Sequence, residues 1–100
     1  MYFITCFQKV GKDKNGWIEM GAARTFGYFE SFEDANESLK VNSCDMWETI
    51  YHYAVVENIE QGIHPIVKER WFYKYDREKD GYFPINEPIE FKHFCNFALG

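Results

Sequence analysis

The stretch Tyr53–Ile59, which reads YAVVENI, is the clearest β-strand signal in this 100-residue chain. Its β-branched and aromatic residues are the types that fit a pleated, partly buried surface. The dipeptide Gln61-Gly62 follows this stretch and indicates a turn. The middle of the chain is therefore predicted to be a strand that ends at a turn.

The segment after this turn is predicted to form two further strands joined by a hairpin. Residues 70–76 read RWFYKYD, and strand alternation places three aromatic residues on one face. The turn sequence Lys79-Asp80-Gly81 leads into a strand over residues 82–85. The three aromatic residues of the first strand are Trp71, Tyr73 and Tyr75.

The N-terminal part of the chain is predicted to contribute two more strands. Residues 2–10 have apolar side chains on both faces, which is typical of an inner strand. The sequence GKDKNG follows, and its Asn15-Gly16 pair can supply the positive φ angles of a hairpin loop. The next strand lies within residues 17–29 and is predicted to be interrupted or bulged near Gly21.

A first helix is predicted to begin after Ser31. The sequence SFED resembles a capping box, and its acidic residues suit the N-terminus of a helix. Asn42 is a plausible left-handed stop. A shorter helical turn is predicted to begin at Asp45. The apolar face of the first helix consists of Phe32, Ala35 and Leu39, at helical spacing.

A second main helix is predicted at the end of the chain, over FKHFCNFALG. Pro88 fits the first helical position, and Glu90 lies in the first turn. His93 points away from the apolar face of this helix, so it is the residue there that is available for a site. The apolar face consists of Phe91, Phe94, Cys95 and Ala98, at helical spacing.

These elements predict one α+β domain over residues 1–100. The sheet is mostly antiparallel, with four to five strands and two main helices packed on one face. The predicted order is β-β-α-(α)-β-β-β-α. The content of apolar residues supports a folded domain, because 46% of the chain is hydrophobic and 20% is aromatic.

Charge and targeting signals restrict the partners. Eleven Lys and Arg residues against 16 Asp and Glu residues give a net charge of −5, which disfavours binding to nucleic acid. The N-terminus has no signal-peptide pattern, and no apolar run reaches the about 20 residues that cross a membrane. We therefore predict a cytoplasmic protein with reduced cysteines and no membrane partner.

Four residues are candidates for binding a ligand or a partner. Trp71 and Tyr73 lie in an aromatic strand that can stack on a planar group, although such residues more often form the core face of a sheet. Arg24 can hold a carboxylate or phosphate, and more often ends a strand with its head group in water. His93 is the fourth candidate.

A metal or thiol site is a weaker alternative. Cys44, His52, His93 and Cys95 would have to converge in space, because no pair of them has the close spacing of a structural zinc site. Cys6 and Cys95 are better explained as small core residues. No catalytic residue, metal or cofactor is predicted.

The chain also resembles a known group of proteins. The stretches RTFGYFESFEDANESL, CDMWETIYHYAVVENIEQGIHP, WFYKYD and FKHFCNFALG resemble small uncharacterised proteins of Gram-positive gut bacteria and of their phages and mobile elements. The group has no assigned activity. The resemblance implies a small intracellular accessory protein that binds and blocks a host or phage protein, such as a defence enzyme.

The leading functional hypothesis is a non-catalytic module that binds another protein through an aromatic, acidic surface, because Tyr and Trp are enriched in interfaces. The first alternative is a protein that binds a small, nucleotide-like ligand. The second is the Cys and His site. An exposed strand edge also invites a symmetric dimer, so monomer and homodimer are both left open.

Overall fold

A computed structural model of the chain describes residues 1–43, 50–62, 67–92 and 96–98. The elements form a five-stranded sheet and a separate two-stranded hairpin. A short 3₁₀ helix, Ile89–Phe91, follows the last strand. The strands are β1 (Tyr2–Phe7), β2 (Gly11–Lys12), β3 (Ile18–Glu19), β4 (Ala23–Phe29), β5 (Tyr53–Ile59), β6 (Val67–Asp76) and β7 (Gly81–Ile85), with helix α1 (Phe32–Lys40) between β4 and β5.

The main sheet has the strand order β4-β1-β5-β6-β7, and every neighbouring pair is antiparallel. This confirms the predicted antiparallel sheet and the strand over Tyr53–Ile59. β1 and β5 are inner strands because their side chains are apolar on both faces. The predicted interruption near Gly21 is confirmed. Gly21 lies between β3 and β4 and has a φ of 69°.

Helix α1 forms where the sequence predicts it. The Ser31 hydroxyl accepts a hydrogen bond from the backbone N–H of Asp34 at 3.2 Å, which satisfies one of the open donors of the first turn. Asn42 follows the helix with a φ of 50°, so the predicted left-handed stop is confirmed. Ala35 and Leu39 are fully buried against the sheet.

The face of the sheet under α1 carries the larger of two apolar clusters. The predicted alternation in β6 is confirmed, because Trp71, Tyr73 and Tyr75 all point to this face. Tyr82 donates a hydrogen bond to the backbone carbonyl of Tyr51 at 2.8 Å, so its buried hydroxyl is satisfied. The buried residues of this cluster are Ile4, Cys6, Ala35, Leu39, Tyr51, Ala54, Val56, Tyr73 and Tyr82.

The opposite face of the sheet is covered by the β2–β3 hairpin and by the chain after β7. The β2–β3 hairpin contributes Ile18, and the chain after β7 contributes Phe91 and Phe97. Phe97 stacks on Phe7 with ring centroids 5.3 Å apart. This arrangement differs from the predicted one, in which both main helices cover a single face.

The prediction of two main helices is wrong, since the described residues contain one α-helix and one 3₁₀ turn. Phe91 is buried as predicted, but Phe97 and Ala98 donate their backbone N–H groups to the side chain of Glu57. Those two donors are therefore not used in a helical ladder, and the apolar spacing could not reveal the competing acceptor. The short helix predicted from Asp45 lies outside the described residues.

Candidate binding sites

Two of the predicted site residues, Trp71 and Tyr73, lie in β6 beneath α1. Trp71 packs against Phe32 of α1, with ring centroids 4.4 Å apart, and against Tyr2 at 6.1 Å. Tyr73 is 1% exposed, and its hydroxyl donates to Oδ1 of Asn36 at 2.8 Å. Both side chains are thus held in place by α1. This agrees with the expectation that such residues form the core face of the sheet.

The same two residues also line a cleft of about 710 Å³ between α1 and the β6–β7 edge. This volume lies within the range of about 300–1,000 Å³ that is typical of small-molecule sites. Trp71 and Tyr73 are therefore both core residues and walls of an open site. The lining consists of Phe32, Asn36, Lys40, Arg70, Trp71, Phe72, Tyr73, Phe83, Pro84, Ile85, Asn86 and Glu87.

The polar side chains of this cleft differ in their hydrogen-bond and ion-pair partners. Nε of Arg70 lies 3.2 Å from Oε1 of Glu87, so this cation and this anion hold each other at the rim. Lys40 belongs to the last turn of α1 and is exposed. Burial raises the pKa of Tyr73 to about 12, so its hydroxyl stays protonated at neutral pH and acts as the donor to Asn36.

Arg24 does not join this cleft. It lies in β4, at the opposite edge of the sheet, and its guanidinium sits 4.9 Å from the ring centroid of Phe26. His93 lies outside the described residues. The predicted group of four is therefore divided, because strand order places β4 and β6 on different sides of β1 and β5.

Trp17, which no sequence pattern singles out, is 73% exposed directly before β3 of the β2–β3 hairpin. The turn is rigid. Oδ1 of Asp13 accepts hydrogen bonds from the backbone N–H groups of Asn15 at 2.8 Å and Trp17 at 3.0 Å. The backbone N–H of Asp13 donates to the carbonyl of Trp17, and that of Gly16 donates to the carbonyl of Asp13.

Only Gly16 of the predicted Asn15-Gly16 pair has a positive φ, at 84°. Glycine fits this conformation without the steric cost that a side chain would bring. The signal for an ordered turn was present in the sequence, as Asp13 and Gly16 at their spacing, but nothing local showed that Trp17 would remain outside the core.

Glu57 is a second residue that the sequence analysis missed. It is fully buried in β5 and lies opposite Arg70 of β6 in the strand register. Its Oε1 accepts hydrogen bonds from the backbone N–H groups of Phe97 at 3.0 Å and Ala98 at 2.9 Å. A single acid inside an otherwise apolar strand was the available signal.

Opposing effects act on the pKa of Glu57. Burial raises the pKa of the Glu57 carboxyl group, while the N–H donors of Phe97 and Ala98 and the charge of Arg70 lower it, and burial dominates. Arg70 also donates from Nη2 to the carbonyl of Phe91 at 3.4 Å. These contacts fasten the C-terminal segment to the sheet, so the pair is best explained as structural.

The described residues give little support to a thiol or metal site. Cys6 is fully buried, and burial raises the pKa of its thiol to about 12, against a lowering hydrogen bond with Tyr82. It therefore remains a protonated core residue at neutral pH. His52 is exposed, whereas Cys44, His93 and Cys95 lie outside the described residues. Within the described ranges no three His, Cys, Asp or Glu residues are grouped to hold a metal ion.

Comparison of the chain with protein-family models, with curated proteins and with solved structures finds no match. A search of the described part of the chain also finds no helix that is both long and apolar enough to cross a bilayer. The roles of the cleft and of the Trp17 hairpin are therefore inferred from their geometry and chemistry.

Proposed function

We propose that this protein is a non-catalytic module that binds another protein, with Trp17 as the anchor of the interface. The observation that carries the proposal is a large aromatic side chain, 73% exposed, on a turn whose backbone is fixed by hydrogen bonds. Trp is among the residues that contribute most energy to interfaces. A turn that is already ordered loses little conformational entropy when a partner binds.

A second exposed apolar residue lies on another segment that covers the same face of the sheet. Ile89 is 81% exposed in the 3₁₀ helix that precedes buried Phe91. Trp17 likewise precedes Ile18, and both Ile18 and Phe91 pack into the cluster on the same face of the sheet. The β2–β3 hairpin and the 3₁₀ helix both cover this face of the sheet. Each also exposes one large apolar side chain, Trp17 or Ile89, to solvent.

The charge around Trp17 indicates the chemistry of the partner. Lys12 and Lys14 flank the turn and are exposed, whereas Lys9 pairs with Glu19 at 3.3 Å. The hairpin residues 11–19 carry Lys12 and Lys14 against Asp13 and Glu19, so they are neutral in a chain whose net charge is −5. Acidic residues around an apolar pocket of the partner would pair with the exposed Lys12 and Lys14.

The resemblance to proteins of phages and mobile elements suggests which partner the protein binds. We propose that the partner is a host or phage protein, such as a defence enzyme, and that the protein acts by binding and blocking it. A pocket that accepts Trp17 on such an enzyme is the expected contact.

The proposal is tested by comparing co-purification of cellular proteins with the wild type, Trp17→Ser and Tyr28→Ser. Tyr28 is the matched control because it is an aromatic residue, 61% exposed, on β4 rather than on the hairpin. We expect a partner to be recovered with the wild type and Tyr28→Ser, and its affinity to fall by about 30-fold or more with Trp17→Ser.

Both variants should unfold at the wild-type temperature, because exposed substitutions change stability by less than about 0.5 kcal/mol. Sedimentation of the purified chain identifies the case in which the partner is a second copy, as a mass that is a multiple of 12.0 kDa and that Trp17→Ser reduces. Identical recovery of all proteins with Trp17→Ser and the wild type would contradict the proposal.

A further inference from the structure

We propose that the cleft between α1 and the β6–β7 edge binds a small planar aromatic anion. In this arrangement Trp71 and Phe32 contact the ring, and Asn36 and Lys40 contact the anionic group. The site is separate from the Trp17 surface, because the cleft lies along the β6–β7 edge and no residue of the β2–β3 hairpin lines it.

The aromatic wall of the cleft is held before any ligand binds. Trp71 is fixed between Phe32 and Tyr2, at centroid distances of 4.4 and 6.1 Å, and is only partly buried, so part of its surface is open to the cleft. A fixed and partly open Trp ring favours a flat aromatic ligand, because stacking needs no reordering of the side chain.

The polar end of the cleft is set by one hydrogen bond. Oδ1 of Asn36 accepts the Tyr73 hydroxyl hydrogen at 2.8 Å, and the pKa of Tyr73, raised by burial, keeps that hydrogen in place. This bond fixes the orientation of the Asn36 amide, and its Nδ2–H groups remain as donors. Lys40 lies four residues further along α1, which is the spacing that places two side chains on one side of a helix.

The balance of charge in the cleft favours an anion. Its charged residues are Lys40, Arg70 and Glu87, which sum to +1 in a chain whose net charge is −5. Glu87 is held by Arg70, which reduces its repulsion of an anion. Because the carbonyl groups at the end of α1 carry partial negative charge, the preference for an anion depends on Lys40.

The test is titration of isotope-labelled protein, followed by NMR, with two aromatic anions and their uncharged counterparts. The probes are adenosine 5′-monophosphate against adenosine, and indole-3-acetate against indole-3-acetamide, each to about 5 mM because fragment-sized ligands bind weakly. We expect at least one anion to shift the signals of the Asn36 side chain and the Trp71 indole, and its uncharged counterpart to bind about two- to fivefold more weakly.

Four variants assign the interaction. Lys40→Gln should remove the preference for the anion, whereas Lys12→Gln, the same charge change on the distant hairpin, should leave it. Asn36→Asp keeps the acceptor for Tyr73 and replaces the donor by a carboxylate, so it should weaken the anion most. Trp71→Leu should weaken both members of a pair by about 5- to 150-fold. If Trp71→Leu fails to fold, Asn36→Asp and Lys40→Gln still decide the result.

The proposal is overturned if neither anion causes shifts at these residues, if the uncharged probes bind equally well, or if Lys40→Gln behaves like Lys12→Gln. The Trp17→Ser variant should bind the probes like the wild type. A failure of the protein-binding proposal and a failure of this one are therefore distinguished by different variants.

Discussion

The two faces of the main sheet are closed in different ways. On one face α1 buries Ala35 and Leu39 against strands that carry apolar and tyrosine side chains. On the other face Phe91 and Phe97 of the C-terminal segment lie against Phe7 and Phe72, and the carboxylate of Glu57 accepts the backbone N–H of Phe97. On the first face α1 also accepts a neutral hydrogen bond, from Tyr73 to Asn36, whereas the second face depends on a buried carboxyl group.

The difference follows from where each segment satisfies its backbone groups. An α-helix bonds its own N–H groups, so α1 needs only an apolar stripe and a cap to dock. The C-terminal segment has no such ladder at Phe97 and Ala98, and a buried N–H without an acceptor is costly. Glu57 supplies the acceptor, at the cost of burying its own charge.

The strongest way to break this comparison is to remove the segment that closes the second face. Deleting residues 91–100 removes buried Phe91 and partly buried Phe97, and a fully buried Phe is worth about 3–5 kcal/mol. Since domains are stable by about 5–15 kcal/mol, we expect the truncated chain to lose cooperative unfolding in calorimetry. A chain that ends after Ala98 keeps the described contacts and is the control. A truncated chain that melts like the intact protein would refute the docking of this segment.

Replacing Glu57 tests the charge without removing the segment. Glu57→Ala leaves the N–H groups of Phe97 and Ala98 without their acceptor, so we expect a loss of about 3–5 kcal/mol in urea unfolding. Glu57→Gln keeps one acceptor oxygen and should lose less. The control is Glu69→Ala, an exposed acid of β6, with a change below about 0.5 kcal/mol. Equal effects of Glu57→Ala and Glu69→Ala would show that the carboxylate does not hold the segment.

The face under α1 should respond to crowding instead. A Cβ at Gly81 would lie 1.8 Å from the backbone carbonyl oxygen of Lys40, so Gly81→Ala must push β7 away from the end of α1. We expect a loss of about 1–3 kcal/mol by thermal unfolding. Gly27→Ala is the same change in β4, where nothing lies within 4 Å, and should leave stability equal or slightly higher. Similar losses at both positions would contradict the close packing at Gly81.

The smallest expected effect is a dependence of the free energy of unfolding on pH. Because burial raises the pKa of Glu57, the folded protein holds this proton more tightly than the unfolded chain does. The free energy of unfolding of the wild type relative to Glu57→Gln should therefore fall as pH rises from the ordinary value of 4.5 to the raised pKa, and level off above it. The measurement is urea unfolding of both proteins across this range. A difference that rises with pH would mean that the hydrogen bonds of the carboxylate outweigh its burial.

The parts of the fold that the sequence predicted well are those encoded by neighbouring residues. The strand Tyr53–Ile59, the cap at Ser31, the stop at Asn42 and the interruption near Gly21 all follow from side-chain type and spacing within a few positions. The aromatic face of β6 follows in the same way from strand alternation. Trp71 and Tyr73 were candidates for that reason, and the cleft contains both.

The predictions that failed required contacts between distant parts of the chain. The apolar spacing of the last ten residues is compatible with a helix, and only the arrival of Glu57, 40 residues from Phe97 in sequence, gives those N–H groups another acceptor. The sequence also could not show that Arg24 and Trp71 lie apart, because strand order alone places β1 and β5 between β4 and β6.

Local sequence thus encodes the strands, the first helix and its caps, because propensity and periodicity act over a few neighbouring residues. The tertiary structure alone decided that Trp17 stays in solvent, that Glu57 is buried and that Asn36 and Lys40 line a cleft beside Trp71. The physical reason is that burial and polar contacts depend on which segments meet, and the pairing of β1 with β4 and β5 joins residues far apart in the chain.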